Sequence, residues 1–461
     1  MEPIDVAVAL REELRHEKPE LEKWEDYYEG EQRLSYMHPE LLKELEGRVR
    51  QVVVNWPRLV VDSLEERLDV EGFRLGDEVD STLWGWWQAN GLDVASQQAH
   101  IDALICGRSY AIVGTNEDDP TVPLITVESP EQVIAKHDPR TRRVSAAIKT
   151  WCEDDDTDRM TLYLPDRTVH YFAEGSLWRQ DGPEDVHNLG RVPVVPLINR
   201  GRTLETEGVS ELVDIVPLSD AACKIATDMM VAADFHAIPR IVALGLTEDD
   251  FKDRDGRPVS KWEKIAGRIW ATGSPPGEAD IRQLAEADLR NFHETINSLA
   301  RMASAMAGLP PHYFGWSDAN PASADAIRSA ETRLVKRAER RQRAFGESWE
   351  EVQRLGFLVT RGELPPNAAR METVWRDPST PTIAQTADAL GKLAAGLQIP
   401  PRALWPRVPN VTAEEVRRWE SIADAERSAS ARAQAAAFGV TPDPNLHQPT
   451  PDMMNANLSA G

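Results

Sequence analysis

Apolar positions along the chain fall into helical, alternating and turn-punctuated stretches, and each predicts a different element. Over residues 5–50, Leu10, Leu14, Leu21 and Trp24 recur among Glu, Lys and Arg, which predicts helix. Tyr27-Tyr28-Glu29-Gly30 closes that segment, with Gly30 as its stop. From Val52 to Leu68 the text is more apolar; Asn55 and Pro57 suit a helix opening near Trp56, with Leu64 and Leu68 one turn apart. A further helical stretch runs from Ser81 to Cys106 through Trp84, Trp87, Leu92, Ala99 and Leu104. Residues 108–200 change character. Short runs at Tyr110-Ala111-Ile112-Val113, Leu124-Ile125-Thr126-Val127, Ala147-Ile148-Lys149-Thr150 and Leu162-Tyr163-Leu164 lie among turn signals, the spacing of an antiparallel meander.

The period then returns to that of a helix. Leu218, Ala222, Ile225, Met229 and Ala232 predict a helix over 209–236, which Pro217 either kinks or opens. Leu289, Phe292, Ile296, Leu299, Ala303 and Met306 alternate by three and four, predicting a second helix over 288–307 that Gly308 and Pro310-Pro311 stop. Between them, residues 238–285 read as a compact insert, opening with strand-like Ile241-Val242-Ala243-Leu244 and closing with Arg268-Ile269-Trp270-Ala271. Two helices flanking such an insert make a stalk with a knob at its tip. After His312-Tyr313-Phe314-Gly315-Trp316, a long helix begins, capped by Asn320 or Ser323, and runs to about 358. Thr373-Val374-Trp375 suits a returning strand, residues 383–397 and 412–437 suit helices, and the Pro-, Asn- and Ser-rich text from Thr441 suits disorder. The fold class expected is α+β, mainly helical.

Composition narrows the function. With 461 residues, 52 basic against 76 acidic side chains and a net charge of −24, the chain suits roughly three domains. Its acidity argues against coating nucleic acid by bulk electrostatics. The mean hydropathy is −0.45, no run approaches a membrane-spanning length, and the first residues lack a secretory layout. Cys106, Cys152 and Cys223 are too scattered for a disulfide framework or a CxxC metal pair. Phosphate-loop, GxGxxG, HExxH and GxSxG signatures are missing. The acidic run from Glu153 to Asp158 reads as a solvated turn between strands rather than a metal site. No catalytic residue, metal or cofactor is expected. One segment departs from the acidic whole: Arg328, Arg333, Lys336, Arg337, Arg340, Arg341 and Arg343 stand against only Glu331 and Glu339. Such a row calls for acids on a neighbouring subunit or for DNA phosphates.

Several short motifs, taken in order, resemble the portal proteins of tailed bacteriophages, of the type found in long-tailed phages of actinobacteria. They are Tyr27-Tyr28-Glu29-Gly30; Asn55-Trp56 through Val60-Val61-Asp62; Arg67-Leu68 with Gly72-Phe73; and Gly308-Leu309-Pro310-Pro311-His312-Tyr313-Phe314-Gly315 leading to Asn320-Pro321-Ala322-Ser323-Ala324-Asp325-Ala326-Ile327. The resemblance spans nearly the whole length. It implies a ring of about twelve subunits around a DNA channel at one capsid vertex, assembled in the bacterial cytoplasm. Residues 1–205 would form most of an α/β wing, 206–237 and 286–307 the two stem helices, and 238–285 the clip. Residues 308–320 would form a tunnel loop, 321–380 a long wing helix with a return strand, 381–437 the crown and 438–461 a tail. Facing double-stranded DNA would be His312, Tyr313, Phe314, Trp316, Ser317, Asp318 and Asn320, some of them packed at the loop's base. Leu289, Phe292, Ile296, Leu299 and Met306 would pack the stem, while Arg333, Lys336, Arg337, Arg340, Arg341 and Arg343 would meet a neighbour or DNA. Implied partners are further copies of the chain, the terminase motor, head-completion or adaptor proteins, and the major capsid or scaffold protein, with no membrane. A different head–tail connector or scaffold, a DNA-processing enzyme and an acidic coiled-coil adaptor are the alternatives weighed against it.

Overall fold

A seven-residue repeat of apolar side chains decides where the first helix lies. In the computed structural model, which describes residues 2–33, 52–76, 78–153, 157–175, 177–203, 206–236, 241–244, 280–283, 289–315, 324–379, 383–408, 411 and 413–437, α1 spans Pro3–Glu29. Ala7, Leu14, Leu21 and Tyr28, with Leu10 and Trp24, share one buried face. The first half of that face covers a sheet, and the second half enters the main core. Gly30 ends the helix at φ 79°, the left-handed stop expected of it.

Helix α2 (Trp56–Glu65) starts where expected, because Asn55 accepts the Arg58 N–H at 3.1 Å. Strands β1 (Val70–Leu75) and β2 (Glu78–Val79) follow, then α3 (Ser81–Ala89) and α4 (Leu92–Cys106). The single helix expected over 81–106 is therefore two. Asn90 donates to the carbonyls of Trp86 and Pro123, at 2.8 and 2.9 Å, and accepts the Ile125 N–H at 2.8 Å. Those bonds tie the break to the β-region and redirect the chain.

Strands β3 (Arg108–Gly114), β4 (Leu124–Glu128), β5 (Val133–His137), β6 (Val144–Cys152), β7 (Asp158–Tyr163), β8 (Arg167–Glu174), β9 (Leu177–Gln180), β10 (Asp185–Val186) and β11 (Val194–Ile198) make the meander. They form a sheet in the order β10–β8–β7–β6–β5, with β9 on β8, and a second in the order β11–β3–β4. The acidic run lies at the β6–β7 turn, where Arg159 and Arg11 take Glu153 and Asp158. Residues 154–156 lie outside the described residues.

Helix α5 (Val216–His236) begins later than expected, with Pro217 in its first turn, so that proline opens the helix. Strands β12 (Ile241–Leu244) and β13 (Asp280–Gln283) pair antiparallel and return the chain to α6 (Arg290–Ala307), which packs beside α5. The segments expected at Arg268–Ala271 and from Gly273 fall outside the described residues. Helix α7, described over Ala324–Arg361, buries Leu334, Ala338, Phe345, Trp349, Val352 and Leu355 in the main core. There Trp349 Nε1 donates to His100 Nε2 at 3.0 Å, and Phe345 stacks on the same imidazole at 5.1 Å. Burial drops the His100 pKa to about 3, keeping the ring a neutral acceptor. Strand β14 (Met371–Trp375) returns to pair with β1, setting Val374 opposite Gly72. Helices α8 (Ile383–Leu397), α9 (Pro401–Leu404) and α10 (Ala413–Ala437) are largely exposed, and Trp405, just after α9, meets Trp419 of α10 edge-on with centroids 6.2 Å apart. The cap of α7 near Asn320 and the tail from Thr441 lie outside the described residues.

Candidate functional site

The site is built where α6 hands the chain to α7. Gly308 ends α6 at φ 68°, donating to the Ser304 carbonyl at 2.9 Å. A Cβ there would meet a backbone conformation that only glycine adopts freely, and the flexible Arg333 side chain 2.9 Å away would have to move aside. Pro310 and Pro311 then set a short 3-10 turn over Pro311–Phe314. Tyr313 donates its hydroxyl to Glu331 Oε1 at 2.9 Å, and Arg67 meets both, 3.4 Å from the hydroxyl and 3.4 Å from Glu331 Oε2. Burial, then that bond to Glu331, raises the phenol above its ordinary range, so it stays a donor. Phe314 meets Trp56 edge-on with centroids 5.7 Å apart. His312 is exposed, with its ring against Tyr313 at 4.9 Å. Trp316, Ser317, Asp318 and Asn320 lie outside the described residues.

The same locus gathers motifs from distant parts of the chain. Tyr28 donates to Asp62 at 2.9 Å, with the Arg58 guanidinium over its ring, and Asn55 donates to the Tyr28 carbonyl at 2.8 Å. Tyr27 donates to Asp220 on α5 at 2.9 Å. Ser219, one residue before, donates to the Val54 carbonyl at 2.8 Å. Thus α1, α2, α5 and the Pro311–Phe314 turn are linked through side chains that looked unrelated in sequence.

The basic row on α7 has an answer the sequence did not offer. Arg337 and Arg341 both grip Glu211 of the same chain, whose side chain is 1% exposed. Burial alone would raise the Glu211 carboxyl, but the two guanidinium groups outweigh it and hold the pKa below the usual range. Arg333 caps the end of α6 by donating to the Ala305 carbonyl. Arg200 pairs with Asp214 at 3.4 Å, and exposed Arg343 approaches Glu339 at 3.9 Å. Lys336 and Arg340 are exposed and have no acidic partner among the described residues. Arg200, Arg333, Lys336, Arg337 and Arg340 line a cleft of about 500 Å³ with Glu211 and Asp214. Glu211 was missed because it lies 126 and 130 positions from its partners, and no local pattern marks such a pair.

On α6, Leu289, Phe292, Ile296 and Leu299 are half-buried, and the fully buried stripe is Ala300, Ala303, Ser304 and Ala307. Met306 is instead 48% exposed in the single chain. At about 100° per residue it stands off that stripe, beside Met302, which is 47% exposed.

Comparison with known proteins covers most of this architecture. The family model for the phage portal protein, SPP1 Gp6-like, matches residues 9–429. The portal protein of Mycobacterium phage D29 is 38% identical over 410 residues, spanning 86% of this chain and 84% of the relative. That of Mycobacterium phage L5 is 37% identical over 411 residues, spanning 85% and 83%. Among solved structures, the neck of an empty GTA particle computed with C6 symmetry aligns at TM-score 0.42 and 13% identity, over 79% of this chain and 90% of that one. The neck of a native GTA particle computed with C12 symmetry gives 0.41 and 14%, over 80% and 91%. On the strength of the two relatives and of a family match that takes in both the Pro311–Phe314 turn and the Glu211 cleft, the chain belongs to the phage portal protein family, SPP1 Gp6-like.

Proposed function

We propose that this protein is the ring subunit of a phage portal, about twelve copies enclosing the channel through which double-stranded DNA enters and leaves the head. In this reading the ring sits at the portal vertex of the virion after assembly in the host cytoplasm. It docks the terminase during packaging and head-completion proteins afterwards, and meets the capsid or scaffold at its rim. The terminase supplies the energy from ATP, and the portal contributes no chemical step. Helices α5 and α6 serve as the stem, the segment carrying β12 and β13 as the clip, the body around α1 to β11 and α7 as the wing, and α8 to α10 as the crown.

The observation that carries the reading is the anchored turn at the foot of α6. Tyr313 and Phe314 are tied into the core by Glu331, Arg67 and Trp56, which gives the residues that follow a rigid base. Exposed His312 and residues 316–320 are then the groups offered to the channel. Only Asp318 among residues 309–319 carries a charge at neutral pH, so contact with passing DNA is steric rather than ionic. A net charge of −24 per copy suits a bore that must hold phosphates weakly at every register. Photo-crosslinkers placed singly at His312 and at positions 316–320 in DNA-filled particles test this. Label on DNA from those positions is expected; label obtained only from positions within 238–285 contradicts it.

A further inference from the structure

Of the six cations that line the α7 cleft, three pair with carboxylates of the same chain, Arg333 is bound to the Ala305 carbonyl, and two are left over. Arg337 and Arg341 neutralise Glu211, and Arg200 neutralises Asp214. Lys336 and Arg340 stand one turn apart on the exposed side of α7, next to those pairs, with no carboxylate of their own among the described residues. The cleft therefore holds an uncompensated positive charge in a protein whose sum is −24. Across the cleft stands Met306, with Met302 one turn before it on α6, both about half exposed.

Exposed methionines beside unpaired cations are the make-up of a protein interface rather than of a phosphate-binding groove. Methionine and arginine, though not lysine, are enriched where proteins meet, whereas a sugar–phosphate backbone held by cations offers little apolar surface to cover a thioether. The complementary surface is abundant on the chain itself, which carries 76 acidic side chains. We propose that this cleft is a subunit contact: a carboxylate-bearing segment of a second copy pairs with Lys336 and Arg340 while its apolar residues cover Met302 and Met306. The inference rests on the ring reading above and assigns its contact. It also separates two roles within one basic row. Arg337 and Arg341 hold the subunit together, whereas Lys336 and Arg340 hold subunits to each other.

The test uses the full chain with Lys336→Glu and Arg340→Glu combined, and Lys336→Ala with Arg340→Ala as a milder pair. Both sites are exposed, so the melting temperature of the subunit is expected to stay within a few degrees. Assembly is read by sedimentation velocity, and affinity for a fluorescent 30-base-pair DNA duplex by anisotropy. The glutamate pair is expected to remain a monomer at concentrations tenfold above those at which the parent chain assembles, and the alanine pair to shift assembly in the same direction by less. Raising salt is expected to weaken parent assembly, because partly exposed ion pairs are screened. If either charge variant assembles like the parent, the contact is overturned, whether or not duplex binding falls. That includes the case in which only duplex binding falls, which would assign the cleft to DNA. If the parent itself never assembles, the ring reading fails together with the contact.

Discussion

Glu211 sets one carboxylate against two guanidinium groups where almost no water reaches, so its loss would strand two buried positive charges. Removing one side of a buried ion pair typically costs about 3–5 kcal/mol. Glu211→Gln is expected to lower stability by that order in urea denaturation. The folded-state pKa lies below the unfolded one, so this contribution is complete above the ordinary carboxyl range and is lost as pH falls through the depressed folded value. The variant is therefore expected to lose less than the parent on acidification. Asp102 behaves oppositely. Burial, with Glu25 and Glu131 nearby, pushes it up to about 7. Stability from its protonated form is present in acid and lost as pH rises through about 7. Asp102→Asn is expected to gain roughly 1–3 kcal/mol at about pH 8 and little at about pH 3, below the unfolded carboxyl range, read from urea midpoints at the two pH values. Neither group announces itself in sequence. Asp102 sits in a helical pattern like any exposed acid, and only the packing of α1 over α4 makes it costly to ionise.

At the scale of elements, legibility follows the range of the interaction that decides each one. The α1 seam, the Asn55 cap, the Gly30 and Gly308 stops and the pairing strand near Thr373 rest on local periodicity or cap chemistry, and they lie where the sequence put them. The break lies at Asn90-Gly91, where Gly91 turns left-handed at φ 63°, a local breaker pair, while the bond that fixes its direction reaches the Pro123 carbonyl, 33 residues away. At α5 the sequence left Pro217 as either a kink or an opening, and the structure places it in the first turn. The Pro311–Phe314 turn lies between these cases. Its prolines and glycine were legible, but its attachment to Trp56, Arg67 and Glu331 was not. Phe314→Ala is expected to cost roughly 1–3 kcal/mol at this half-buried site, chiefly by releasing the turn. Limited proteolysis checks it: cleavage between Gly315 and Ala324 is expected to speed up several-fold, with α7 otherwise intact. Unchanged cleavage would mean that Tyr313 alone suffices as the anchor.

For the whole molecule, the described chain leaves surfaces that one copy does not cover. Met302 and Met306 on α6, Leu397 on α8 and Ile422 on α10 are exposed, and Lys336 and Arg340 stand unpaired among the described residues. The large internal core runs from α1 to β14 and accounts for the stability of a single subunit. Outside it, α8, α9 and α10 bury little beyond Leu404 and Val416 among the described residues. A closed ring would give these surfaces partners, and it would convert a modest contact into a permanent one by repeating it around an axis. Electron microscopy of the purified full-length chain, alone and with the other head components, tests this most directly. Closed rings of about a dozen copies with an open axial hole are the expected result. Particles that stay single subunits under both conditions would contradict it.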